Sequence, residues 1–223
     1  LWSATYAPTY KEADSYKVEF STHKANFYRK DGDIETQMDV FLLPEELGEI
    51  RKIRLKNNGD EEAFLETISY FEIVGERLES DIAHPTFNNL FIRTEVLEED
   101  EGLLAYRRKR SEDMQDNWIL HGVKSFDRGI DRFQYETNRG NFIGRGRSLK
   151  NPKGPLIKGL TNTVGVVLDP IMSIGKKIKI KPKGQVELYY ITAITHNKDE
   201  AIEILNKYSD LNSIDMAMEF SNT

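Results

Sequence analysis

Between residues 17 and 195 apolar and polar side chains alternate in short runs separated by turn residues. A period of two sends successive side chains to opposite faces of an extended strand, so the pattern favours strands over long helices. In Ile34-Glu35-Thr36-Gln37-Met38-Asp39-Val40, Ile34, Met38 and Val40 share one face, and Glu35, Gln37 and Asp39 the other. Residues 64–74 alternate likewise, with Leu65, Phe71 and Ile73 opposite Glu66 and Glu72. After Ile53-Arg54-Leu55-Lys56, the pair Asn58-Gly59 suits the positive φ angles of a tight hairpin. It predicts that the flanking strands pair antiparallel. Further strands are predicted at 90–96, 103–108, 118–123, 164–168, 178–181 and 186–195. About ten strands with almost no helical period predict an all-β antiparallel sandwich, two sheets packed face to face.

The period changes near residue 197. Ala201, Ile204, Leu205 and Tyr208 fall on one helical face, Asn197 is placed to cap the helix, and Asp199 and Glu200 suit its positive end. A shorter helical segment at 213–220 follows. The predicted organisation is a sandwich over 1–196 and a helical linker over 197–223.

At 223 residues the chain buries about 70% of its extended surface, enough for one large core or two small ones. Thirty-one basic residues against 37 acidic ones, a net charge of −6, disfavour nucleic acid as partner. Zero Cys excludes disulfides, thiolate zinc sites and a Cys nucleophile. No apolar run approaches the ~20 residues of a membrane-spanning helix. The chain opens Leu1-Trp2-Ser3 without Met or leader and stops just after a helical pattern, so it reads as one domain excised from a longer polypeptide.

Candidate chemistry is sparse. Asp31-Gly32-Asp33 resembles the start of a calcium loop, but Thr36 stands where that loop needs Gly and Leu42 where it needs a bidentate Glu. A turn into the next strand is the expectation. Gly144-Arg145-Gly146-Arg147-Ser148, with Arg139 upstream, is the most unusual cluster. Glycines allow close approach and Arg forks match phosphate oxygens, so it either meets a ligand or neighbouring domain or is a loop held by Arg-to-backbone bonds. It is neither a Walker motif nor a dinucleotide fingerprint. The surrounding stretch, 139–159, holds five glycines and two prolines and predicts a long surface loop.

The alternating lysines of residues 176–183 read as the guarded outer face of an edge strand. Arg107-Arg108-Lys109-Arg110 with Ser111-Glu112-Asp113 reads as a solvated strand end, and Glu98-Glu99-Asp100-Glu101 as a turn. His23, His84, His121 and His196 lack metal-ligand spacing, and no Gly-x-Ser-x-Gly elbow exists. No cofactor is implied. In residues 81–91, His84-Pro85 fixes a turn and crowds polar side chains, Asn88 among them, beside aromatic ones. Packing of the turn and lining of a cleft are both open there. Trp2, Tyr6, Tyr10 and Trp118 are candidate sugar-stacking faces, with core packing as the competing role.

Five segments in fixed order carry a family resemblance. They are Trp2-Ser3-Ala4-Thr5-Tyr6-Ala7-Pro8-Thr9, Asp31-Gly32-Asp33-Ile34-Glu35-Thr36, Ala83-His84-Pro85-Thr86-Phe87, Glu136-Thr137-Asn138-Arg139-Gly140-Asn141-Phe142-Ile143-Gly144-Arg145-Gly146-Arg147, and Gly165-Val166-Val167-Leu168-Asp169-Pro170-Ile171. The chain resembles the sandwich domain of glycoside hydrolase family 94, formerly glycosyltransferase family 36, in its branch of cyclic β-1,2-glucan synthases and β-1,2-oligoglucan phosphorylases. The resemblance implies a galactose-mutarotase-like super-sandwich joined by linker helices to an (α/α)₆ barrel. That barrel carries the general acid, and phosphate attacks the anomeric carbon with inversion. It also implies a cytoplasmic domain (the parent inner-membrane associated in the synthases) that packs on the barrel, supports a homodimer and lends loops to a β-glucan cleft.

On this footing Arg139, Arg145, Arg147, His84, Asn88 and Trp2 are candidates for sugar or domain contact, and no catalytic residue is expected. Two other functions compete. One is an independent glucan-binding module. The other is a mutarotase-like enzyme, which needs a His acid and a Glu base drawn from His84, His121, Glu136 and Glu187.

Overall fold

The computed structural model describes residues 1–108, 117–131 and 133–221. Twelve strands form two sheets among them. The large sheet runs, in spatial order, β1 (Ser15–Phe20), β2 (Lys24–Asp31), β3 (Ile34–Leu42), β4 (Leu47–Asn57), β12 (Gln185–Thr195), β9 (Trp118–Lys124), β8 (Gly102–Arg107) and β7 (Ile92–Leu97). The small sheet is β10 (Gln134–Asn138), β11 (Pro170–Ile180) and β5 (Ala63–Ile68), with the two-residue β6 (Phe71–Glu72) also on β11. All pairings are antiparallel.

The main core lies between the sheets. Met38, Ile53, Leu103, Val123 and Leu188 from the large sheet meet Met172, Ile174, Ile178 and Ile180 from β11. A second core lies outside the large sheet. Phe41, Ile50, Leu104, Leu120, Tyr189 and Ile191 point away from the small sheet and are covered by α4 (Lys198–Lys207) and α5 (Leu211–Phe220). Covering both faces explains why the middle of β12, Leu188-Tyr189-Tyr190-Ile191, is an unbroken apolar run. The helices start where their caps dictate: Asn197 accepts from the Glu200 amide at 2.8 Å and Asp210 from the Ser213 amide at 3.0 Å. Leu205 of α4 seats on the directly paired glycines Gly102 and Gly122. A methyl at Gly102 would stand 2.9 Å from Leu205 Cδ1, and one at Gly122 would overlap the same side chain.

The structure corrects several sequence expectations. Asn58-Gly59 does not close a hairpin: β4 pairs with β3 and β12, whereas β5 crosses to the small sheet and pairs with β11. The buried Asn57 makes the crossing, donating to the carbonyls of Glu61 (2.7 Å), Lys181 (3.3 Å) and Ile180 (3.4 Å) and accepting from the Gly59 amide (2.9 Å). Residues 64–74 are two strands, broken where Ser69 binds the Ile174 backbone. β11 is central to the small sheet, with β5 along one side of its lysine-rich half and backbone bonds from residues 129–131 on the other. Its Lys176 points inward and pairs with Glu101 at 2.6 Å, so that turn is not wholly a solvated acidic run.

The stretch 139–159 is not all loop. It holds α3 (Arg139–Ile143) and a π-helical turn, Gly154–Lys158, with Phe142 and Ile143 buried on the outer face of the small sheet. In the basic run near residue 107, Arg107 is buried against Glu76, while residues 109–113 lie outside those described.

Candidate functional site

The end of β10 builds the best-defined polar site. Glu136 is buried, and its carboxylate accepts from the Thr161 hydroxyl and amide and from the Asn138 amide. The Asn138 side chain in turn accepts from the amides of Gly140 (2.9 Å) and Asn141 (3.4 Å), which turns the strand into α3. Arg139 then points back across the sheet end. Its Nε donates to Glu72 (3.0 Å) and to the Tyr70 hydroxyl (3.3 Å), and its Nη1 to Asp169 (3.3 Å). Tyr70 donates to Glu72 at 2.8 Å, and its ring lies 4.8 Å from that of Phe142. The Tyr70 hydroxyl raises the Arg139 pKa above its ordinary value, with Glu72 adding to it against the cost of burial. Burial, then the bond to Glu72, raises the Tyr70 phenol. Arg139 is therefore held by three partners of its own domain.

Beyond α3 the chain makes a turn over 144–151 that stays on the domain through Leu149, packed against the cluster of Phe142, Ile143 and Ile171. Gly144 takes φ +81° with its α-carbon packed so close to Lys153 that a methyl would sit 2.7 Å from Lys153 Cβ. Such a position accepts glycine and strains any other residue. The turn closes on itself: Asn151 accepts from the Ser148 amide at 3.2 Å, and Arg147 donates to the Asn151 carbonyl at 3.1 Å. Arg145, Arg147 and Lys150 are all exposed on this turn. The turn is held by its own bonds, Gly144 to Gly140 on one side and Ser148 to Asn151 on the other, and Arg145 is exposed on it.

The other sequence candidates lie apart. Asn88 is buried and structural, donating to the Ser80 carbonyl at 2.8 Å and accepting from Arg107 at 3.3 Å. His84 joins α1 (Leu78–Ala83) to α2 (Pro85–Asn89) through backbone bonds to Ser80 and Asn88, its side chain exposed. Trp2 lies half-buried, its indole donating to Thr36 at 3.5 Å beneath Lys11. Tyr6 and Tyr10 form an exposed edge-to-face pair, and Trp118 stacks on Tyr106 at 4.3 Å.

The four groups considered for an acid–base pair do not converge. His121 points between the sheets, whereas Glu187, of opposite parity across the β9–β12 register, faces outward. Glu136 is spent on Thr161 and Asn138. The partners that fix Arg139 were not visible in the sequence, since Tyr70, Glu72 and Asp169 are remote in the chain; the strand alternation around Glu72 was the only hint.

The family described as Glycosyl hydrolase 94, supersandwich domain, matches residues 1–211. The chain is 30% identical over 212 residues to the cyclic β-(1,2)-glucan synthase NdvB of Rhizobium meliloti, which covers 93% of this chain and 7% of that protein. Among solved structures, a proposed kojibiose phosphorylase from the human microbiome superposes with TM-score 0.51 at 8% identity, over 95% of this chain and 25% of the other. The heparan sulfate lyase HepC of Pedobacter heparinus matches with TM-score 0.44 at 10% identity, over 84% and 22%. The phosphorylase likeness concerns the fold alone.

Proposed function

This chain belongs to the supersandwich-domain family of glycosyl hydrolase 94, and from that premise we propose that it is a non-catalytic domain of an enzyme that makes or phosphorolyses β-1,2-glucan. In this reading it packs against an (α/α)₆ catalytic barrel and presents the turn bearing Arg145 and Arg147 at the rim of the glucan cleft. The observation that carries it is the contrast between Arg139, tied to three partners, and Arg145, exposed on a turn held by its own bonds. A turn fixed by its own bonds lowers the entropy lost when the loop meets a ligand or a neighbouring domain. The same reading places the domain in the cytoplasm and at a homodimer contact. Among the described residues no helix is long and apolar enough to cross a membrane.

The test uses both the isolated chain and a full-length protein containing it. The chain alone should release no glucose 1-phosphate from β-1,2-oligoglucosides and phosphate. In the full-length enzyme, Arg145→Ala should lower kcat/KM for glucan by about tenfold, or ~1.4 kcal/mol, with its melting temperature unchanged. Turnover by the isolated chain, or full activity in Arg145→Ala and Arg147→Ala alike, would refute the assignment.

A further inference from the structure

The outer face of the large sheet is covered only in part. Under α4 and α5 it is apolar; beyond them, across β1 to β4 and β12, it is a polar ladder. The strand registers line up Tyr28, Gln37, Arg54 and Glu187 in one row, and Lys30, Glu35, Lys56 and Gln185 in the next. A cleft of about 460 Å³ opens over these rows. That volume falls within the range of small-molecule sites, ~300–1,000 Å³.

Along one side of this cleft the long side chains of Gln37 and Arg54 are held by bonds to neighbours beside it. Arg54 donates to Glu187 at 2.7 Å and to the Gln37 carbonyl oxygen at 3.3 Å, while Gln37 donates to the buried Asp39 at 3.1 Å. Lys52 reaches Glu187 at 3.0 Å and Tyr189 donates to it at 2.7 Å. Burial pushes the Glu187 carboxyl up, but the bonds from Tyr189, Arg54 and Lys52 outweigh it and hold it below its ordinary value. Side chains already fixed lose little further entropy when a ligand arrives.

We propose that this open half of the outer face, centred on Tyr28, Gln37 and Arg54, is a binding cleft for a neutral oligosaccharide. Cations and carboxylates interleave along the rows, so the cleft has no single-signed field to select an anion such as phosphate or nucleic acid. It offers alternating donors and acceptors, which suit vicinal hydroxyls, beside the half-buried ring of Tyr28, which suits the apolar face of a pyranose. The cleft lies on the outside of the large sheet, whereas α3 and the turn that carries Arg145 pack on the outside of the small one. Both could therefore be occupied at once.

The test is a titration of the ¹⁵N-labelled chain with neutral glucose oligosaccharides of β-1,2, β-1,4 and α-1,4 linkage, followed by amide shifts. At least one linkage should give saturable shifts on β2, β3 and β4 by about 20 mM, a millimolar affinity. Tyr28→Ala should weaken it about fivefold and Tyr28→Phe less than about twofold. Arg145→Ala should leave it unchanged, which separates this site from the proposed cleft loop. No saturable shift with any linkage, shifts confined to residues 144–153, or equal binding by Tyr28→Ala would overturn the proposal.

Discussion

His121 Nε2 and Ser69 Oγ stand 2.7 Å apart, joining a strand of the large sheet to the small one inside the core. The other ring nitrogen, Nδ1, lies 2.9 Å from Thr192 Oγ1, and the ring stacks on Tyr190 and meets Phe71 edge-on. Burial first, and the charge of Arg51 second, lower the His121 pKa to about 3. An unfolded chain would protonate this imidazole near pH 6.5. Between those values the unfolded state binds the extra proton, so His121 contributes stability that is complete above pH ~6.5 and drains away as pH falls toward 3. His121→Gln removes the titration while leaving a group that can still donate and accept. Chemical denaturation at pH 7, 6, 5 and 4 should show the wild-type advantage over this variant shrinking by up to ~1.4 kcal/mol per pH unit below 6. A constant gap would mean that the imidazole ionises freely in the fold.

Gly122 is where α4 comes closest to the sheet. Gly122→Ala places a methyl against the fully buried Leu205, and core overpacking of this kind costs ~1–3 kcal/mol. Leu205→Ala alone leaves a cavity and costs ~2–5 kcal/mol. The double variant should be more stable than the sum of the two losses predicts, because each change relieves the other. Additive losses in thermal or urea unfolding would show that the two residues do not compete for one space.

Asn57 ties the turn between sheets through one amide. Asn57→Ala should lose ~1–3 kcal/mol, leaving several backbone groups short of a partner. Asn57→Asp should be worse than alanine despite its similar shape, since it sets an oxygen against the carbonyls of Glu61, Lys181 and Ile180. If aspartate were tolerated better than alanine, those three carbonyls would not be what holds the crossing.

What the sequence made legible was local. The Asn197 cap, the helical face of Ala201, Ile204 and Leu205, and the alternation of β3 each follow from neighbours within a few residues, and the structure reproduces them. Asn58-Gly59 misled because a turn signal specifies a bend, not the destination of the next strand; the bonds of Asn57 to residues 180 and 181 decide that. Lys176 misled for a similar reason. Its alternating neighbours imply a wet face, yet its own charge is met from a turn 75 residues earlier. In the candidate site, the glycine and arginine spacing around residue 145 was visible as a pattern. The division of labour between Arg139 and Arg145 was not, because it rests on Tyr70, Glu72 and Asp169 arriving from elsewhere in the chain.

The two C-terminal helices bear on how the polypeptide can be divided. Cleaving ahead of residue 197 would strip the lid from Leu104, Leu120 and Ile191, which no water reaches in the intact fold. The remnant would keep every strand and still present a bare greasy wall, prone to self-association. A division that leaves this second core closed therefore runs at least to Ala217, its last buried residue.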